Sequence, residues 1–150
     1  MFNPVFNVQI GQLGVPSNTG RVYDRSAVAL MHQRAESVDT PLYGETVATY
    51  EGWSAERTPI IDLVSVSHVV KRVWVGDDDK IFACIRTTHS PHGWELARRF
   101  HVGEDMVFKP RGIVRNGHKS INDRGELVVS AENFTFVTID ALPANQDPLC

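Results

Sequence analysis

The run VSHVVKRVWV, Val66 to Val75, is followed by Gly76-Asp77-Asp78-Asp79-Lys80 and then by IFACIRTT, and no other stretch limits the fold as much. Its β-branched residues and its tail of Val69, Lys71, Val73 and Val75 suit a pleated surface with one wet face. Turn residues reverse the chain, and a second strand pattern resumes. The segment therefore predicts an antiparallel hairpin. The three adjacent aspartates read as a solvated hairpin tip, because a calcium loop spaces its ligands at alternate positions.

The rest of the chain supplies further strands and two helices. FNVQI near the start alternates like a half-buried strand, and GVPSNTG reads as a loop. DRSAVALMHQRAE predicts a helix capped by Asp24, with Val28, Met31 and Ala35 on one face and Thr40-Pro41 as its stop. The stretch from Leu42 to Pro59 has no regular pattern. SPHGWELARRF predicts a second helix capped by Ser90, with Trp94, Ala97 and Phe100 inward. MVFKP, GELVVSAE and FTFVTIDAL read as strands, and PANQDPLC as a polar tail. The expected fold is mainly β with two helices (α+β), a partly closed antiparallel β-barrel rather than a sandwich. The expected organisation is one domain over 1–150, with an N-terminal arm (1–7) and a polar C-terminal tail (143–150). A chain of 150 residues can bury roughly 70% of its unfolded surface.

Bulk properties narrow the function classes. A net charge of −3 argues against a large basic field for nucleic acid or anionic lipid. No apolar run approaches the roughly 20 residues that span a bilayer, and MFNPVFNVQIGQ lacks a basic n-region. A soluble protein made in a cytoplasm is expected, with no membrane partner. Cys84 and Cys150 form no disulfide framework; Cys84 reads as a small buried hydrophobe and Cys150 as unactivated.

Chemistry is sparse. Of six histidines, His89 and His92 form an H-x-x-H pair without a third ligand, so neither a metal nor another cofactor is expected. His68 reads as a strand histidine satisfied by packing and a backbone acceptor. Neighbouring strand residues point to opposite faces, so Ser67 is not expected to reach it. No G-x-G-x-x-G, P-loop, H-E-x-x-H or G-x-S-x-G string occurs. FKPRGIVRNG is more suggestive: its Arg-Gly pair offers donors suited to an oxyanion, yet Lys109 and Pro110 stand where a nucleophile would be useful. Arg98, Arg99, Lys109, Arg111, Arg115 and Lys119 concentrate positive charge, for which an acidic protein surface is the natural partner. The expected contacts are Arg98, Lys109, Arg111 and Arg115, with no specific nucleic acid.

The order of these pieces resembles the prohead maturation proteases of tailed bacteriophages, in the branch similar to the herpesvirus assembly proteases. The resemblance runs from about Val8 to Pro143. It rests on NTGRVYDRSAVALMHQR, on LYGET, on the hairpin with its following Thr-x-x-Pro-x-Gly and helix, and on FKPRGI, which stands where those enzymes carry Ser-Ser-Arg-Gly. The resemblance implies a serine just before Arg111-Gly112 and a histidine shortly after Gly44-Glu45. Here Lys109-Pro110 and Thr46-Val47-Ala48 occupy those places, and neither proline nor alanine can act as nucleophile or base. The sequence thus predicts a non-enzyme, a pseudoprotease. Its expected role is that of a virion structural protein, a capsid decoration (cement) or minor capsid component. Its expected partners are the major capsid protein or other phage head proteins, with a homo-oligomer left open. Two alternatives stay open: a diverged prohead serine protease using Ser65, Ser67, Ser120 or Ser130 with His68 or His118, and a non-virion phage interaction module.

Overall fold

The computed structural model describes residues 4–17, 19–37, 39–115 and 120–144. The hairpin forms as expected. β4 (Val66–Val75) and β5 (Lys80–Thr87) pair antiparallel across the aspartate tip, where Asp78 and Asp79 adopt positive φ. They sit at the centre of a four-stranded sheet in the order β1-β5-β4-β3, with β1 spanning Val5–Gln12 and β3 spanning Leu42–Glu45. The expected arm is thus half strand: Val5, Phe6 and Asn7 lie opposite Arg86, Ile85 and Cys84. β3 falls in the stretch expected to be irregular; Gly44 and Glu45 carry little strand propensity, and pairing with β4 overrides it.

A second layer is the long pair β6 (Met106–Val114) and β9 (Phe134–Pro143). A third is the small sheet of β2 (Arg21–Tyr23), β7 (Ser120–Ile121) and β8 (Leu127–Val129), in which β2 and β8 run parallel. The molecule is mostly β with two helices, but the three sheets do not join into a closed barrel. β3 and β9 lie side by side, with Thr138 donating to the Tyr43 carbonyl and the Glu45 N–H to Asp140, and an isolated bridge from Thr46 to Ala141 follows just past β3. β1 and β6 come close but do not pair as strands.

α1 (Arg25–Ala35) begins as its sequence predicts, with the Asp24 carboxylate accepting from the Ala27 N–H at 3.0 Å. Its buried face is Ala27, Val28, Met31 and Ala35, packed over β4. α2 (Pro91–His101) is capped by Ser90, but its inward residues are Gly93 and Leu96, while Trp94 is 44% exposed. The phase differs because Gly93 sits flush against Thr88, a close approach that a larger residue could not make. Phe100 stacks between Phe6 and Phe108, joining the two larger sheets. Cys84 is half-buried on the outer face of β5 rather than in the core; Cys150 and Lys119 lie outside the described residues.

Candidate functional site

Three strand irregularities shape the region around Arg111. The first is a bulge in β4: Val66 lies opposite Glu45 and His68 opposite Gly44, so Ser67 is the extra residue. A bulge turns two successive side chains toward one side. Val66, Ser67 and His68 are consequently all buried, and the Ser67 hydroxyl lies 2.9 Å from His68 Nδ1. The expected separation of Ser67 from His68 by strand alternation is corrected: alternation fails where the ladder carries an extra residue. His68 Nε2 lies 2.7 Å from the Ile139 carbonyl, which can only accept, so Nε2 bears the proton and Nδ1 is left to accept from Ser67. Thr46 donates in turn to Ser67 at 2.8 Å. The result is an oriented chain from Thr46 through Ser67 and His68 to β9.

Burial lowers the His68 pKa to about 4, against a smaller opposing effect of the Ile139 carbonyl. At neutral pH the ring is therefore uncharged. In the unfolded chain it titrates near 6.5, so between about 6.5 and 4 the unfolded state binds the extra proton. Stability is fully present above that window and falls with pH inside it, by about 3 kcal/mol for the whole interval. Asp140 has the opposite sign, because burial raises its pKa. Urea unfolding of the native chain and of His68→Gln at pH 7 and pH 4.5 separates the two. The native chain should lose more stability on acidification than the variant, and equal losses would refute the assignment.

The second irregularity is in β9, where Arg111 pairs with Thr138 but Gly112 with Phe136. Arg111 projects into the seam between the sheets with its side chain 3% exposed. It reaches Glu45 Oε2 at 2.8 Å and Asp140 Oδ1 at 3.2 Å, and its Nε lies 2.9 Å from Asp140 Oδ2. Glu45 and Asp140 are wholly buried. Arg57 comes in from the 46–62 loop to Glu45 Oε1 at 2.9 Å, and Tyr50 donates to Asp140 Oδ2 at 2.7 Å. Two carboxylates thus face two guanidiniums, and the charge balances. Burial, then the neighbouring Asp140 carboxylate, pushes the Tyr50 phenol far up, so it remains a donor. The Trp53 ring lies under both Arg57 and Arg111, at 4.1 and 5.0 Å from their guanidinium carbons.

The third feature is Pro110 on β6. The Ile139 and Ala141 carbonyls of β9 point away from β6, toward His68 and Val47. Their opposite numbers, Pro110 and Phe108, therefore turn their own backbone groups outward. Proline costs no ladder hydrogen bond there, which is why an open edge tolerates it. That edge borders a cleft of about 900 Å³, walled by Gln9–Gln12 of β1 on one side and Met106–Gly112 of β6 on the other. Tyr23, Tyr50 and Trp53 add aromatic surface, and Arg21 and Lys109 add positive charge, with no carboxylate in the lining.

The residues singled out by sequence divide accordingly. Gly44, Glu45, Thr46 and Val47 line the seam; Val47 donates to the Ala141 carbonyl at 2.9 Å, while Ala48 is exposed. Lys109, Pro110 and Gly112 border the cleft. Arg111 belongs to the buried ion cluster and offers no charge to a partner. Arg98 is exposed but pairs with Glu95 at 2.6 Å, and Arg115 bonds Thr135 and the Glu132 carbonyl. Among the described residues no group of three or more His, Cys, Asp or Glu could hold a metal. Ser65 lies in a short 3-10 turn, Ser120 begins β7, Ser130 follows β8, and His118 is outside the described residues. Sequence reasoning missed Tyr50, Trp53, Arg57 and Asp140. Only Asp140, a lone acid in the apolar run FVTIDAL, carried a signal.

No family model matches the chain, and no curated protein matches it. Among solved structures it is similar to the capsid assembly protease gp21 of bacteriophage T4. The TM-score is 0.64 at 16% identity, over 92% of this chain and 80% of that one. The chain shares a prohead-protease-like fold. The expectation of a non-enzyme is corrected by this match, because the protein that shares the fold is itself an enzyme. Positions 109–110 lie within β6 and 46–48 just past the end of β3, where Thr46 also donates to Ser67 of the Ser67–His68 contact. No described helix is long and apolar enough to cross a membrane.

Proposed function

We propose that this chain is a head protein of a tailed phage that captures an extended segment of another head protein in the cleft between β1 and β6, and that it stays with the shell as a decoration or minor capsid component. The observation that carries this reading is the pair of strand edges that, among the described residues, pair with no further strand and face one cleft, on the fold of a capsid assembly protease. Open edges bind extended peptide through main-chain hydrogen bonds, with side-chain pockets setting preference. Arg21 adds positive charge to a lining that contains no carboxylate, which favours an acid-rich segment. Quantitative mass spectrometry of purified, DNA-filled particles tests it. Intact chain at a fixed ratio to the major capsid subunit is the expected outcome. Absence from particles would reject the shell role.

A second reading, a serine peptidase, is favoured by the 2.9 Å contact between Ser67 and His68 with its fixed tautomer. Both residues are closed to solvent, so a substrate carbonyl reaches Ser67 only if the β3–β9 seam opens. Covalent labelling by a fluorophosphonate that disappears in Ser67→Ala would establish it. A chain that stays unlabelled would dismiss it.

A further inference from the structure

Positive charge on this molecule gathers where the sequence did not place it. Arg98 and Arg99 are compensated by Glu95 and Glu104. The outward face of the four-stranded sheet carries Lys71, Arg72, Lys80 and Arg86, and among the described residues none of the four is in an ion pair. The only acidic residue on these four strands is Glu45, which points inward and is buried. The aspartates of the hairpin tip lie beyond the strands, and Asp79 is engaged by Arg25 at 3.2 Å. This is a cationic face on a chain whose net charge is −3.

Aromatic residues interleave with that charge. Trp74 and Phe82 are cross-strand partners whose rings stack at 5.8 Å and 26°, and the Arg72 guanidinium lies 4.9 Å from the Trp74 ring centre. Gly76 lets the chain pass directly over Phe82. Arg72, Trp74 and Phe82 form one continuous flat stack across two strands. Among the described residues the turn at Gly76 lies against the Phe82 ring, Trp74 and Phe82 are half-buried, and Arg72 is exposed. We propose that the outer face of β4 and β5 binds single-stranded nucleic acid without sequence preference. Bases extend the stack of Arg72, Trp74 and Phe82, and phosphates lie along Lys71 and Arg86. An acidic protein surface would satisfy the cations but would leave the stacked rings without a planar partner, which is why nucleic acid is the occupant favoured.

The test is fluorescence anisotropy of a labelled oligothymidylate with the full chain, competed by poly-glutamate of equal charge. Binding should weaken roughly ten-fold or more between about 50 and 200 mM salt, as expected for about three neutralised phosphates. Trp74→Ala should weaken it about ten-fold, since stacking on an aromatic side chain carries roughly that factor per base. Because Trp74 is half-buried, Arg86→Glu, a change at an exposed position, serves as the second variant and should both weaken binding and flatten its salt dependence. Lack of binding at low salt would overturn the proposal. So would equal competition by poly-glutamate, or unchanged affinity in Trp74→Ala. None of these outcomes bears on the cleft, which lies along the opposite edge of β1.

Discussion

Arg111→Ala is expected to destabilise the fold by about 3–5 kcal/mol, the usual cost of removing one partner from a buried ion pair. Glu45 and Asp140 are both fully buried, and Arg111 is the cation they share. Without it Glu45 keeps Arg57, but Asp140 keeps only Tyr50 and a backbone N–H. The loss would be a large part of the roughly 5–15 kcal/mol that holds an ordinary domain together. In a melt it should read as a drop of at least about 10 °C. Arg111→Lys should recover little, because an ammonium cannot span two carboxylates as the planar fork does. Combining Arg111→Met with Asp140→Asn should recover more, since it removes a charge on each side. A melt of Arg111→Ala within a degree or two of the native chain would show that the cluster is not buried in solution. The prediction also separates two views of FKPRG: an arginine that fixes a seam fails in folding, whereas one that contacts partners fails only in binding.

Gly44→Ala is the second large effect, about 3 kcal/mol, at the upper end of what overpacking a core costs. A methyl group at this position would overlap His68 Nε2 and the Ile139 carbonyl, with His68 Cε1 at 2.6 Å. It would wedge apart the two groups whose hydrogen bond joins β4 to β9. Neither can move cheaply, because the imidazole is held by Ser67 on its other side and Ile139 belongs to a ten-residue strand. Gly11→Ala is the control. There a methyl group would sit 3.6 Å from the Ile81 side chain, an ordinary contact, and stability should be nearly unchanged. Denaturant midpoints of the two variants would settle it. Similar midpoints would mean that the β3–β4–β9 junction is looser than these distances require.

Both predictions concern the junction that sequence reasoning read least well. Glu45 stood out through its place beside Gly44, and Arg111 through its place before Gly112, but the two were assigned to different tasks. Nothing in either segment tells that they meet across 66 positions of sequence at 2.8 Å. Arg57 lies in an irregular loop with no periodicity to orient it. The same is true of the cationic sheet face: Lys71, Arg72 and Arg86 look like ordinary wet-face residues until the register sets Arg72 and Trp74 beside Cys84 and Phe82.

What the sequence by itself determined is local. The hairpin from Val66 to Thr87, the two helices with Asp24 and Ser90 as caps, and the strand character of β1, β6, β8 and β9 follow from side-chain period and turn chemistry. These act within a few residues. Tertiary structure decided β3, the open seam between β1 and β6, and the contacts of Ser67, His68 and Arg111. The contacts of Ser67, His68 and Arg111 each depend on one residue more in one strand than in its partner, and an extra residue changes which way every later side chain points. That count is fixed by pairing between distant segments, so no window along the chain contains it.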